Sequence, residues 1–114
     1  EHEARHHICA RLRDKLHVVP VDTIQCFIAD QKYVTVCHNQ GELLIDEALK
    51  DLEKEFSKLF IRVHRNALVS LTQVRSLEKS EDGRFLVYLQ NRAEPIEVSR
   101  RMVVDVRAHL RNAR

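Results

Sequence analysis

The chain has 114 residues, of which 44% are hydrophobic and 32% charged, and a formal net charge of +2. That is enough for one domain with a real core, and it excludes a disordered polyelectrolyte. No apolar run approaches the length of a bilayer span and no signal-peptide pattern opens the chain, so a cytoplasmic protein with no membrane partner is expected. The charge is unevenly placed. Residues 1–60 carry eight Lys/Arg against eleven Asp/Glu, whereas residues 61–114 carry eleven against six, and ten of those eleven cations are arginine. The planar guanidinium fork suits phosphate and guanine. A cationic face on a near-neutral chain therefore fits nucleic acid, with solvated surface charge as the competing reading.

Residues 1–6, EHEARH, show no hydrophobic periodicity and read as a linker remnant, which places the domain at 7–112 of what is expected to be a longer protein. His2, His6 and His7 lack the defined partner set that a metal would need. His7–Leu12 alternates as a strand, Arg13-Asp14-Lys15 is a turn, and Leu16–Val19 is a second strand that Pro20 ends. Val21-Asp22-Thr23 leads into Ile24–Ala29, where Ile24, Cys26 and Ile28 alternate with Gln25 and Ala29 while Phe27 adds bulk to the other face. Asp30-Gln31-Lys32 is polar, and Tyr33–His38 resumes as β, rich in Val and Thr. Asn39-Gln40-Gly41 turns into Glu42–Ile45. Each of the three cysteines, Cys9, Cys26 and Cys37, lies in such an apolar strand-like stretch, without CxxC spacing. Buried reduced thiols are expected, rather than a disulfide or a zinc site.

One amphipathic helix follows. Asp46 is its expected N-cap with Glu47 in the first turn, and Leu49, Leu52 and Phe56 share a face. Its other faces mix acids and lysines, so a phosphate backbone would repel much of it; it is a packing helix. LFIRVHRNALVSL, Leu59–Leu71, begins and ends as a strand but is broken by His64-Arg65-Asn66. A core strand gains nothing from three consecutive polar residues, so the chain either turns there or pushes them out to meet something. Val74–Lys79 and Phe85–Leu89 form a hairpin around the Asp82-Gly83 turn. Phe85–Leu89 is apolar on both faces and reads as central, whereas Pro95 confines Ile96–Val98 to an edge. Ser99 is the expected cap of a final helix, with Val103, Val106 and Leu110 on one face and Arg100, Arg107 and Arg111 on another. The class is mainly β, built of antiparallel hairpins.

Nothing in this inventory predicts an enzyme or a cofactor. Ser70 and Ser99 lack an elbow motif, and adjacent Cys37 and His38 point to opposite faces of a strand. What remains are three polar breaks: Asp30-Gln31-Lys32-Tyr33, His64-Arg65-Asn66 and Ser99-Arg100-Arg101. Each holds donors for phosphate or base edges, and Arg and Asn pair two-pronged with guanine and adenine.

FIADQKYV, LIDEALKDLE, FIRVHRNALVSLTQVRSLE and IEVSRRMVVDV, in that order, closely resemble the LytTR family of DNA-binding domains, over about Ile8 to Leu110. Within it the chain looks most like the regulators of alginate synthesis and twitching motility in pseudomonads and their relatives. The resemblance implies an elongated stack of three antiparallel sheets, about ten strands with a short helix. It also implies that loops enter successive major grooves on one face of double-stranded DNA at promoter operator sites. Matched by position, the contacts fall at Lys32 with Tyr33, at Arg65 with Asn66, and at Arg100 with Arg101. The chemistry then assigns base edges to Arg65 and Arg101, and phosphates to Lys32, Arg62, Arg75, Arg100 and His64. Such domains are outputs of two-component response regulators, so the implied partners include an N-terminal receiver domain, a sensor histidine kinase acting through it, and a second copy on DNA. Two departures stand out: some members carry Asn where this chain has Arg65, and the helix after Arg101 runs longer than the family minimum. Two alternatives stay open: a helix-turn-helix-like reader using the basic C-terminal helix, and a β-sandwich module that binds an acidic protein.

Overall fold

Strands that alternate cleanly and strands that are apolar on both sides sort into different layers. The computed structural model describes residues 3–112, so His2 lies outside the described residues. Its strands are β1 (His7–Leu12), β2 (Lys15–Pro20), β3 (Ile24–Ala29), β4 (Val34–His38), β5 (Gly41–Ile45), β6 (Phe60–His64), β7 (Ala67–Ser70), β8 (Val74–Lys79), β9 (Phe85–Leu89) and β10 (Ile96–Val98). They form a hairpin β1-β2, a five-stranded sheet β5-β4-β3-β7-β6, and a three-stranded sheet β10-β9-β8. Every pairing is antiparallel. The helices are α1 (Leu49–Glu55) and α2 (Val103–Asn112). The mainly β class, the three sheets and the central place of β9 agree with the sequence expectation, and Pro95 sits just outside edge strand β10.

The five-stranded sheet is the middle layer, buried on both faces. One face packs Phe27, Val34, Val36 and Leu68 against Ile8 and Val19 of the hairpin and Leu49, Leu52 and Phe56 from α1. The other packs Cys26, Ile61, Val63, Ala67 and Val69 against Val87, Leu89, Ile96 and Val98 of the third sheet and Val103 and Val106 of α2. Phe27, Phe56 and Phe60 form the aromatic centre of the first core, with centroids 5.0 to 6.1 Å apart. A β-bulge between Ile24 and Cys26 inverts the phase of β3. Ile24 therefore joins Phe27 in the first core, while Cys26 and Ile28 face the second. Plain alternation would have grouped Ile24 with Cys26.

Several local expectations need correction. Asp46 does not cap α1: Ala48 occupies the cap position with no side-chain hydrogen bond. Glu47 instead joins Glu55 in holding Arg5, whose guanidinium lies 2.7 and 2.8 Å from the two carboxylates and 5.8 Å from the Phe56 ring centre. Residues 3–6 are thereby seated on α1. Ser99 caps through its carbonyl, which accepts from Met102 N–H at 2.9 Å, and not through its hydroxyl. Arg100–Met102 form a 3-10 turn ahead of α2. Cys9 is exposed, unlike the buried Cys26 and Cys37; all three are free thiols. No helix among the described residues is long and apolar enough to cross a membrane.

Two predictions follow from this packing. Phe27→Ala should lower the unfolding free energy by about 3–5 kcal/mol, because it empties the middle of the aromatic cluster; urea denaturation checks this. The hydrogen bonds from Arg5 hold the Glu55 carboxyl below its usual range, against the opposing effect of burial. A depressed folded value adds stability at pH above the unfolded value, and that stability is lost as pH falls through the folded one. The stability gap between the unaltered chain and Arg5→Ala should therefore be widest near neutrality and close in acid, as read by denaturation across pH.

Candidate nucleic-acid interface

The three polar breaks are assembled by backbone hydrogen bonds. Ala29 N–H donates to the carbonyl of Asn66 at 2.8 Å, joining the end of β3 to the β6-β7 turn. Ser99 N–H donates to the carbonyl of Val63 at 2.8 Å, joining the end of β10 to β6 one residue before that turn. The 64–66 turn thus stands between the 30–33 turn and the 99–101 segment, and all three lie side by side. Main-chain bonds depend little on side-chain identity, so this frame does not rest on what the turns display.

Each turn is also organised from within. In the first, Asp30 N–H donates to the Tyr33 carbonyl at 2.9 Å, and Gln31 N–H to the Asp30 carboxylate at 2.8 Å. That leaves Lys32 exposed and the Tyr33 side chain outside β4, 48% exposed. In the middle turn, a bulge between Arg62 and His64 breaks the β6-β7 ladder. Arg62 spans the break: its Nε donates to the His64 carbonyl at 3.0 Å and its Nη2 to the Arg65 carbonyl at 2.6 Å. Its Nη1 is ion-paired with Glu53 of α1. Asn66 N–H donates to Nδ1 of half-buried His64 at 3.2 Å, so in this arrangement the neutral ring carries its proton on Nε2. With the carbonyls drawn inward, Arg65 and Asn66 are left exposed.

Arg100 and Arg101 are exposed on the 3-10 turn beside this cluster. Among the described residues, no carboxylate forms a salt bridge with Lys32, Arg65, Arg100 or Arg101, whereas Arg5, Arg62 and Arg84 are each paired. An unpaired cation keeps its full charge for an incoming anion.

Lys32, Tyr33, His64, Arg65, Asn66, Arg100 and Arg101 are therefore brought together. Arg62 lies beneath them with its guanidinium engaged inside the molecule. Arg75 stands elsewhere, on the strand that starts beyond the far end of β7, with its guanidinium carbon 5.8 Å from the Tyr88 ring centre. α2 turns Val103 and Val106 into the second core, and its Arg107 lies 6.0 Å from the Phe85 ring centre. Sequence reading missed Glu53 as the partner of Arg62. Acids and lysines alternate along α1, and nothing in that pattern marks one acid as inward.

A stack of antiparallel sheets with unpaired cations on adjoining turns defines a class: an antiparallel β-scaffold that carries cationic turns. Residues 14–111 match the LytTr DNA-binding domain family, and the chain belongs to that family. It is 46% identical over 104 residues to the positive alginate biosynthesis regulatory protein of Pseudomonas aeruginosa, covering 90% of this chain and 42% of that protein. The chain thus spans less than half the length of that relative. Its fold also resembles a solved Bacillus cereus structure described as the LytTr DNA-binding domain of a methyl-accepting/DNA response regulator. The TM-score there is 0.83 at 20% identity, over 94% of this chain and 98% of that one.

Because Arg62 ties the middle turn to α1, Arg62→Ala should cost about 1–3 kcal/mol of stability through stranded carbonyls and an unpaired Glu53. Amide exchange at residues 64–66 should rise with it, by nuclear magnetic resonance. Unchanged exchange there would mean that the clamp does not hold the turn.

Proposed function

We propose that this domain reads double-stranded DNA in a sequence-specific way by inserting the 64–66 turn and its two neighbours into major grooves on one side of the duplex. The observation that carries the reading is the juxtaposition of Lys32, Arg65, Arg100 and Arg101, exposed and without acidic partners, on turns joined by main-chain hydrogen bonds. Arg65 and Arg101 pair with base edges, guanine being the natural partner of a two-pronged guanidinium. Asn66 and Tyr33 add polar contacts beside them. Lys32, Arg100 and His64 meet phosphates and set register. Arg62 acts as a positioning residue for the middle turn, and Arg75 meets phosphate only at the margin of the footprint. The longest dimension, 47 Å, exceeds the roughly 34 Å of one duplex turn, which leaves room for contact with successive grooves.

The wider role we infer is that of the output domain of a two-component response regulator controlling transcription in the cytoplasm. Likeness to the alginate regulator supports it. In that setting a receiver domain and its sensor histidine kinase supply the signal, and two copies occupy paired operator sites. Reading by α2 is less favoured, because its apolar face is spent on the second core.

The test begins with selection from a randomised duplex pool, followed by mobility-shift titrations on the selected sites. Arg65→Ala should lose about 1–3 kcal/mol of discrimination at one base pair. Lys32→Ala should weaken all duplexes alike and reduce the salt slope by about 0.9 in log–log units. An unaltered ranking of operator variants by Arg65→Ala would sink the assignment of base reading to the middle turn. Loss of ranking with Arg107→Ala instead would move the reading to α2.

A further inference from the structure

Away from the cationic turns, the middle sheet contains a group of reactive side chains that DNA binding does not use. Cys26 of β3 and Cys37 of β4 are direct antiparallel partners, and both are buried, at 0% and 3% exposure. Partners in such a ladder have Cα atoms about 4.5–5.5 Å apart, inside the roughly 4.4–6.8 Å window that a disulfide spans. The third member is Arg92, from the loop between β9 and β10, whose charge and hydrogen bond act on the Cys37 thiol. The Arg92 Nε is buried with no hydrogen-bond partner. Glu42, across from Cys37 on β5, is the acid facing the pair.

We propose that Cys26 and Cys37 form a redox site at which hydrogen peroxide makes a disulfide between β3 and β4, with the Arg92 guanidinium activating Cys37. The Cys37 thiolate attacks the peroxide O–O bond; its sulfur becomes a sulfenic acid and the leaving hydroxide becomes water. Cys26 then attacks that sulfur, the S–S bond forms, and the sulfenic oxygen leaves as the second water. Together the two thiols give up two protons and two electrons, and the peroxide takes both. The assignment of nucleophile has a physical basis. The neighbouring Cys26 thiol is the largest influence lowering Cys37; burial opposes it, and Arg92 lowers it further. The converse influence and burial push Cys26 up. A cation beside one thiol favours its thiolate, and a second thiol in bridging reach can then close the disulfide. The bridge forms in the hairpin whose tip carries Lys32 and Tyr33, so it stiffens one arm of the cationic cluster; its chemistry does not depend on DNA binding.

The experiment uses the full chain with Cys9→Ser, which removes the exposed thiol and its intermolecular reactions. The folded protein is treated with hydrogen peroxide, quenched with catalase, unfolded, alkylated with N-ethylmaleimide and weighed by intact mass spectrometry. The expected product is a monomer lighter by two hydrogens that takes up no maleimide until dithiothreitol restores both thiols. Arg92→Gln should slow the reaction by about threefold or more, through the lower thiolate fraction. Any of three results overturns the proposal: two alkylated cysteines at a peroxide dose that consumes free glutathione, oxygen adducts on one sulfur without a disulfide, or an unchanged rate in Arg92→Gln.

Discussion

The middle sheet has apolar side chains on both faces, and neither face can meet water. That requirement explains the rest of the architecture. The β1-β2 hairpin and α1 exist as a lid for one face, and the β8-β9-β10 sheet and α2 as a lid for the other. In a chain of this size, two separate cores divide the burial that one larger core would supply. The aromatic group of Phe27, Phe56 and Phe60 compensates on the α1 side by filling volume with few residues. The opposite core is built of Val, Ile, Leu, Ala67 and two cysteines, and it is there that the paired thiols are enclosed.

Much of this was legible in the chain, and the parts that were not have identifiable causes. Strand positions came through because turn residues punctuate them: Asp82-Gly83, with Gly83 at φ 88, and Asn39-Gln40-Gly41 mark hairpins unambiguously. Which face each residue took was less legible in β3. A single bulge shifts the period by one, and no residue type in Ile24-Gln25-Cys26 announces it. Asp46 misled because N-cap preference is a local propensity, and Arg5, forty-odd residues away, competed for the neighbouring acid through charge. Cys9 misled because an apolar alternating strand can still turn one face to solvent when it lies in an outer layer.

The cationic turns were visible as interruptions, since polar triplets inside apolar strands have no place in a core. Their adjacency was not visible, because it rests on main-chain hydrogen bonds between segments more than thirty residues apart. Arg62 illustrates the limit well. By composition it is one more arginine near the cluster, and only its three engaged nitrogens distinguish a residue that shapes the turn from one that faces outward.

The bonds from Ala29 to Asn66 and from Ser99 to Val63 use peptide groups alone. Exchanging the side chain at position 65 or 101 therefore leaves the frame intact. On the proposed reading, descendants of one ancestral scaffold can drift toward different promoters by swapping single exposed letters, without rebuilding the protein beneath. Divergence of regulatory networks is inexpensive for such a design, because recognition and folding are encoded in different atoms.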